Sequence, residues 1–266
     1  MSTLLIVLIV FEALVMIALP IAALLIVGRR WSLPLRLALA GAATFVASQI
    51  LHIPANSILG QVLNMSERPV IAQAIVLGLS AGIFEEAARY LAYRFWQKDA
   101  RTWREAVYFG LGHGGIESIL TAFFVVTTLV NVIVITRTPD LTTLGVPEEL
   151  LEQTAADVAA FWQTPWYMPL LAAAERVMAM ILHVSLSTLV VMTFRKSALW
   201  ALPAAILWHA TANAVAVVVN QTWGPVAAEA ALLVIAALSI ALLWLTHRAL
   251  SAGNTPPETQ PATRRK

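Results

Sequence analysis

The chain of 266 residues is 59% hydrophobic and only 12% charged. That profile belongs to a polytopic helical membrane protein and leaves no room for a separate soluble domain. A formal net charge of +2, with basic residues spread along the connecting segments, excludes a nucleic-acid partner, and the absence of cysteine excludes disulfides, thiolate metal sites and a cysteine nucleophile.

Apolar runs long enough to span a bilayer fall at 3–27, 33–53, 70–96, 104–136, 166–194, 198–220 and 225–247. They predict an all-α bundle of about seven transmembrane helices, a single domain over 1–250 with its polar core between 70 and 220. The first run lacks a basic n-region, exceeds the roughly 7–15 residues of a signal-peptide core and precedes Arg29-Arg30, so it reads as an uncleaved span. Between the fourth and fifth runs, 137–165 is the long loop. Within it, Pro147-Glu148-Glu149-Leu150-Leu151-Glu152 has the form of a helix start with acids in its first turn. Val158, Phe161 and Trp162 follow, which suits either a helix lying on a membrane surface or a simple acidic loop. The tail 251–266 is rich in Pro, Thr and Gln and is expected to be disordered.

Placing the first, third, fifth and last connecting segments in the cytoplasm collects Arg29, Arg30, Arg36, Arg94, Lys98, Arg101, Arg104, Arg195, Lys196, Arg248, Arg264, Arg265 and Lys266 on that side. Only Arg68 and Arg137 remain outside, and Arg89 and Arg176 fall within spans. The positive-inside asymmetry predicts an external N-terminus and a cytoplasmic C-terminus in a cell membrane, most simply the plasma membrane of a prokaryote.

Against this apolar background, Phe84-Glu85-Glu86-Ala87-Ala88-Arg89-Tyr90 places two carboxylates and a guanidinium inside the third span. A charge at the bilayer centre costs about 3 kcal/mol or more. Counting about 1.5 Å per residue from the cytoplasmic edge puts Glu85 at about 16 Å, His113 at about 14 Å, His183 at about 18 Å and His209 at about 20 Å. The hydrocarbon is about 30 Å thick, so four helices present a polar group near its middle and predict one site. Arg89 stands i+4 from Glu85 and i+3 from Glu86, and His113–Glu117 and His209–Asn213 repeat the four-residue step along one helix face. The run Gly110-Leu111-Gly112-His113-Gly114-Gly115 matches G-x-G-x-x-G only formally. It follows no strand, and position 135, where a ribose-binding acid would fall, is Ile135. In lipid such small residues let helices approach closely, which presses His113 against a neighbour.

In these residues the sequence resembles the membrane-embedded CPBP superfamily, which includes the type II CAAX prenyl endopeptidases, and looks most like the YhfC-type branch named as intramembrane metalloproteases. The pattern is a double glutamate with a basic residue, F-x-x-x-H, an isolated histidine and H-x-x-x-N. Here it reads Glu85-Glu86-Ala87-Ala88-Arg89, Phe109 to His113, His183, and His209 with Asn213. The arginine spacing is E-E-x-x-R rather than the CAAX branch's E-E-x-x-x-R, so prenyl-protein substrates are not carried over. The resemblance implies an intramembrane protease acting on membrane-protein or peptide substrates.

For peptide hydrolysis, Glu85 is the expected general base, because a carboxylate in apolar surroundings has a raised proton affinity. His113 would place the water, Arg89 would hold Glu86 ionised, and His209 with Asn213 would donate to the developing oxyanion. His183 reads as a further donor or a ligand. Zinc would accept His113, His183 and His209 with Glu85 or Glu86, yet no H-E-x-x-H occurs, so metal-assisted and metal-free glutamate mechanisms both stand. A non-catalytic scaffold or immunity-type protein that keeps the cluster for helix specificity is the alternative. A proton-coupled transporter is less favoured, because no inverted repeat is visible. Glu175-Arg176 reads as an ion pair, His52 and His247 as span-edge residues, and Glu12 and Glu229 as neighbours of the cluster's back side.

Overall fold

A computed structural model describes residues 2–195 and 198–251; Lys196 and the expected disordered tail beyond Ser251 lie outside the described residues. The described residues are helical without strands: α1 (Thr3–Trp31), α2 (Leu35–Val62), α3 (Val70–Leu91), α4 (Trp103–Arg137), α5 (Leu151–Trp162), α6 (Met168–Arg195), α7 (Ala201–Trp223) and α8 (Pro225–Ser251). Seven of them, all but α5, are long and apolar enough to cross a membrane, as the sequence predicts.

Helix ends follow local chemistry. α1 stops where Ser32 turns left-handed (φ 52°) and its N–H donates to the Arg29 carbonyl, with Pro34 as the next helix's cap. α4 opens with a reciprocal capping box between Thr102 and Glu105. α3 closes in a π-helical turn, Ala92–Trp96.

One boundary differs from expectation. Pro54 suggests an end at 53, because the residue before proline disfavours helical backbone. Instead α2 runs through Pro54 to Val62. In lipid, losing one hydrogen bond at a proline costs less than leaving a whole turn of backbone groups unpaired. This extension carries His52 and Asn56 into the interior of a helix.

α4 and α6 form the centre of the bundle: Ala106–Gly115 and Leu182–Thr193 are buried throughout. α1 and α2 lie against α4, α8 against α6 and α7, and α3 against α7. Closest approach is set by glycine. A methyl group at Gly82 would stand 2.5 Å from the Ile206 carbonyl oxygen of α7, and one at Gly114 would stand 3.0 Å from the His183 Cβ of α6. Both contacts lie beside the polar cluster, so these glycines let its helices converge.

α4, at 35 residues, is about 52 Å long and exceeds the hydrocarbon thickness. Its far end supports the loop between α4 and α6. There the expected helix start at 147–152 becomes a short 3₁₀ turn, Glu148–Leu150, leading into α5. Phe161 and Trp162 of α5 pack on Leu5, Ile9 and Leu129, and the Trp162 indole donates to Thr136 Oγ1 at 2.8 Å. In the same loop the Thr142 hydroxyl and N–H both donate to Asp140, which holds its carboxyl below the usual range. The end of the bundle bearing this loop is the loop side; the other, with Arg29, Arg94, Arg104 and Arg195, is the basic side.

Candidate functional site

The two glutamates of α3 have different surroundings. Glu86 is fully buried; Arg89 Nη1 donates to both its oxygens at 2.7 and 2.9 Å, and His209 Nδ1 lies 2.8 Å from Oε1. These partners saturate its near side and leave it no contact with open space. Glu85, one residue earlier, lines a cavity of about 110 Å³ together with Glu117, Glu175, Arg176, His183, His209 and Asn213. His113 Nε2 lies 3.1 Å from Glu85 Oε2, and Gln49 Nε2 donates to Oε1 at 3.2 Å.

The predicted site residues therefore converge from α3, α4, α6 and α7. The His113 and His183 rings are 5.2 Å apart between centroids and the His183 and His209 rings 5.3 Å apart. Each of the three histidines is held by an acid or a base. Arg89 Nη2 donates to His183 Nδ1 at 2.6 Å, which leaves Nε2 to carry that ring's proton toward Glu117 Oε2, 2.5 Å away. Arg176 in turn donates to Glu117 Oε1 at 3.1 Å and pairs with Glu175, so the expected local ion pair also braces the site.

Glu85, His113 and His183 offer ligand atoms that all lie within 4.8 Å of one another. Three donors holding zinc tetrahedrally with bonds of about 2.0 Å sit about 3.3 Å apart. The Glu85–His113 separation of 3.1 Å meets that spacing and the Glu85–His183 separation of 4.0 Å exceeds it slightly. Glu117 behind the far nitrogen of His183 is the carboxylate–histidine arrangement that orients metal-bound imidazoles. One contact opposes a cation: Arg89 meets the His183 nitrogen nearest Glu85. The guanidinium occupies the single lone pair of that nitrogen, so the trio fits a zinc-class ion only once Arg89 releases His183. His209, expected among the ligands, stands outside this trio with Nδ1 on Glu86, and it faces the cavity as Asn213 does.

Three further polar residues on α2 and α3 escape the motif reading: Gln49, Asn56 and Ser80. His52, read from sequence as a span-edge residue, is 8% exposed and stacks on Phe84. The signal for them is the i, i+3, i+7 spacing of Gln49, His52 and Asn56 on one helix face. It is masked by Pro54, which implies that the helix has ended. His247 keeps its predicted edge position, packed edge-on against Trp103.

A helical bundle with seven candidate membrane spans and two acids, an arginine and three histidines buried together defines a multi-pass membrane protein with a polar cluster at its centre. Residues 15–236 match the family model of the YhfC intramembrane metalloproteases, and the chain belongs to that family. It is 31% identical over 228 residues to the uncharacterised membrane protein YhfC of Bacillus subtilis (strain 168), covering 84% of this chain and 88% of that protein. No solved structure matches the chain.

Proposed function

We propose that the chain is an intramembrane endopeptidase of CPBP type, which hydrolyses peptide bonds of membrane-associated proteins with a water activated by Glu85. The observation that carries this reading is the division of labour between adjacent acids: Glu86 is saturated by Arg89 and His209, whereas Glu85 faces the cavity beside His113 and His183. A general base must reach the proton that it takes, and only Glu85 of the pair borders space for water.

In this mechanism Glu85 accepts the water's proton while His113, 3.1 Å away, fixes the carboxylate's orientation. Asn213 and His209, across the cavity, donate to the oxyanion that forms at the scissile carbonyl. Because His209 Nδ1–H is committed to Glu86, donation from Nε2 requires both ring nitrogens to carry protons. Arg89 touches no substrate; it neutralises Glu86 and positions His183. A zinc-class ion held by Glu85, His113 and His183 would take the place of the His113–Glu85 and Arg89–His183 contacts and supply Lewis-acid activation of the water, with Glu85 then a ligand rather than the base. The protein works as a multi-pass protein of a prokaryotic plasma membrane with its N-terminus outside and C-terminus inside; the asymmetry of its basic residues supports this orientation.

The test is comparative membrane proteomics of cells carrying wild-type protein or Glu85→Gln. Membrane precursors that accumulate uncleaved in the variant support the reading; identical profiles from equally abundant proteins count against it.

A further inference from the structure

From Glu85, four hydrogen bonds run in series along α2 to Ser80 of α3. The Ser80 hydroxyl donates to Asn56 Oδ1 at 2.6 Å, and Asn56 Nδ2 lies 2.9 Å from His52 Nε2. His52 Nδ1 lies 3.2 Å from Gln49 Oε1, and Gln49 Nε2 donates to Glu85 Oε1 at 3.2 Å. None of these four residues belongs to the double-glutamate, histidine or H-x-x-x-N elements.

The direction of the chain is set by two acceptors at the amide nitrogen of Gln49. An ionised carboxylate only accepts, so the Gln49 amide must turn its NH₂ toward Glu85. Its second N–H meets Ser48 Oγ at 3.3 Å, and that hydroxyl's own proton is committed to the Phe45 carbonyl at 2.7 Å, so Ser48 too can only accept. Gln49 Oε1 then faces His52 and requires the ring proton on Nδ1. Nε2 is left with a lone pair, which Asn56 fills, and Asn56 Oδ1 is left to accept from Ser80. Every donor points toward Glu85. Bonds in such a series polarise one another in low dielectric.

We propose that Gln49, His52 and Asn56 are positioning residues forming a one-directional relay that locks the Glu85 carboxylate, with His52 held as the neutral Nδ1–H tautomer. Gln49 fixes one oxygen of Glu85 and His113 the other, so the carboxylate cannot rotate. The ring of His52 is itself clamped by stacking on Phe84, one residue before Glu85. The catalytic meaning of the lock rests on the hydrolase reading, where a misplacement of 1 Å costs on the order of 100-fold in rate. The relay itself stands on the distances alone.

The experiment reads the tautomer directly, without any assay of cleavage. Protein labelled with ¹⁵N-histidine is reconstituted in bilayers and studied by NMR at neutral pH, with the His52 signals identified by their loss in His52→Gln. The wild type is expected to show His52 neutral, with the proton on Nδ1 and Nε2 bare. Proton on Nε2, or on both nitrogens, overturns the relay. In Gln49→Ala the ring loses its acceptor, so the proton is expected to move to Nε2 as Asn56 turns its carbonyl to meet it. With Ser48→Ala in the background, so that Glu85 alone directs the Gln49 amide, Glu85→Gln turns the acceptor-only partner into one that can donate and frees the amide to turn, and part of the His52 population is expected to appear as Nε2–H. A switch in Gln49→Ala with none when Glu85→Gln is added to Ser48→Ala would end the relay at Gln49 and refute its hold on Glu85. Since no outcome depends on turnover, loss of the protease reading and loss of the relay are separately visible.

Discussion

Glu117 stands 2.5 Å from His183 on α6 while its other oxygen receives Arg176, so a carboxylate one helical turn beyond His113 orients the histidine of a neighbouring helix. Such a partner fixes which ring nitrogen faces the site. Glu117→Gln keeps the size and removes the charge. Titration of the purified protein with zinc is expected to show affinity reduced about 10–100-fold in this variant. Equal affinity in variant and wild type would mean that Glu117 plays no part in orienting the ligand.

Arg89 is fully buried and shared between Glu86 and His183. Arg89→Ala leaves Glu86 buried without its counter-charge, and breaking a buried pair in this way costs about 3–5 kcal/mol. Unfolding of the reconstituted protein is expected to fall by that amount. Arg89→Lys recovers only part of it, because an ammonium cannot make the two-oxygen contact with Glu86 and reach His183 as well. Stability unchanged in Arg89→Ala would contradict the reading of Arg89 as the site's structural base.

The cavity at Glu85 shares Glu175, Ala216 and Leu232 with a second cavity of about 290 Å³ that continues along α6, α7 and α8 past Asn220 and Glu229 toward the loop side. With Glu175, Asn220 and Glu229 along it, this path is the expected route for water to the centre. The natural absence of cysteine makes it directly testable. Single cysteines at Ala216 and Leu232 are expected to react with hydrophilic thiol reagents added on the loop side, and one at the buried Ala205 is not. Labelling of Ala205→Cys with silence at both cavity positions would place the water route elsewhere.

The fold was legible because its signals are local: seven long apolar runs are visible residue by residue. The convergence of Glu85, His113, His183 and His209 was legible from depth, since helices crossing one slab share a coordinate that can be counted from either edge. What depth cannot give is rotation about each helix axis. Rotation decides that Glu86 turns to Arg89 and His209 while Glu85 turns to the cavity, and that His209 stands apart from the Glu85–His113–His183 trio. The α2 residues were hidden for a different reason: Pro54 signals a helix end that the lipid environment overrides.

Orientation in the membrane follows from the basic residues. Reporter fusions at Lys98 and after Ser251 are expected to be cytoplasmic, and fusions within 140–160 external. A cytoplasmic signal from the α4–α6 loop would invert the arrangement and move the water route to the opposite compartment.

The central claim is that Glu85 activates the attacking water, and its most direct measurement is cleavage of a membrane-protein substrate by purified, reconstituted Glu85→Gln beside wild type. Gln keeps the side chain's shape and removes its basicity, so the rate is expected to fall by about 10²–10⁴-fold while the folded state persists. A folded Glu85→Gln protein that cleaves at the wild-type rate would contradict the account.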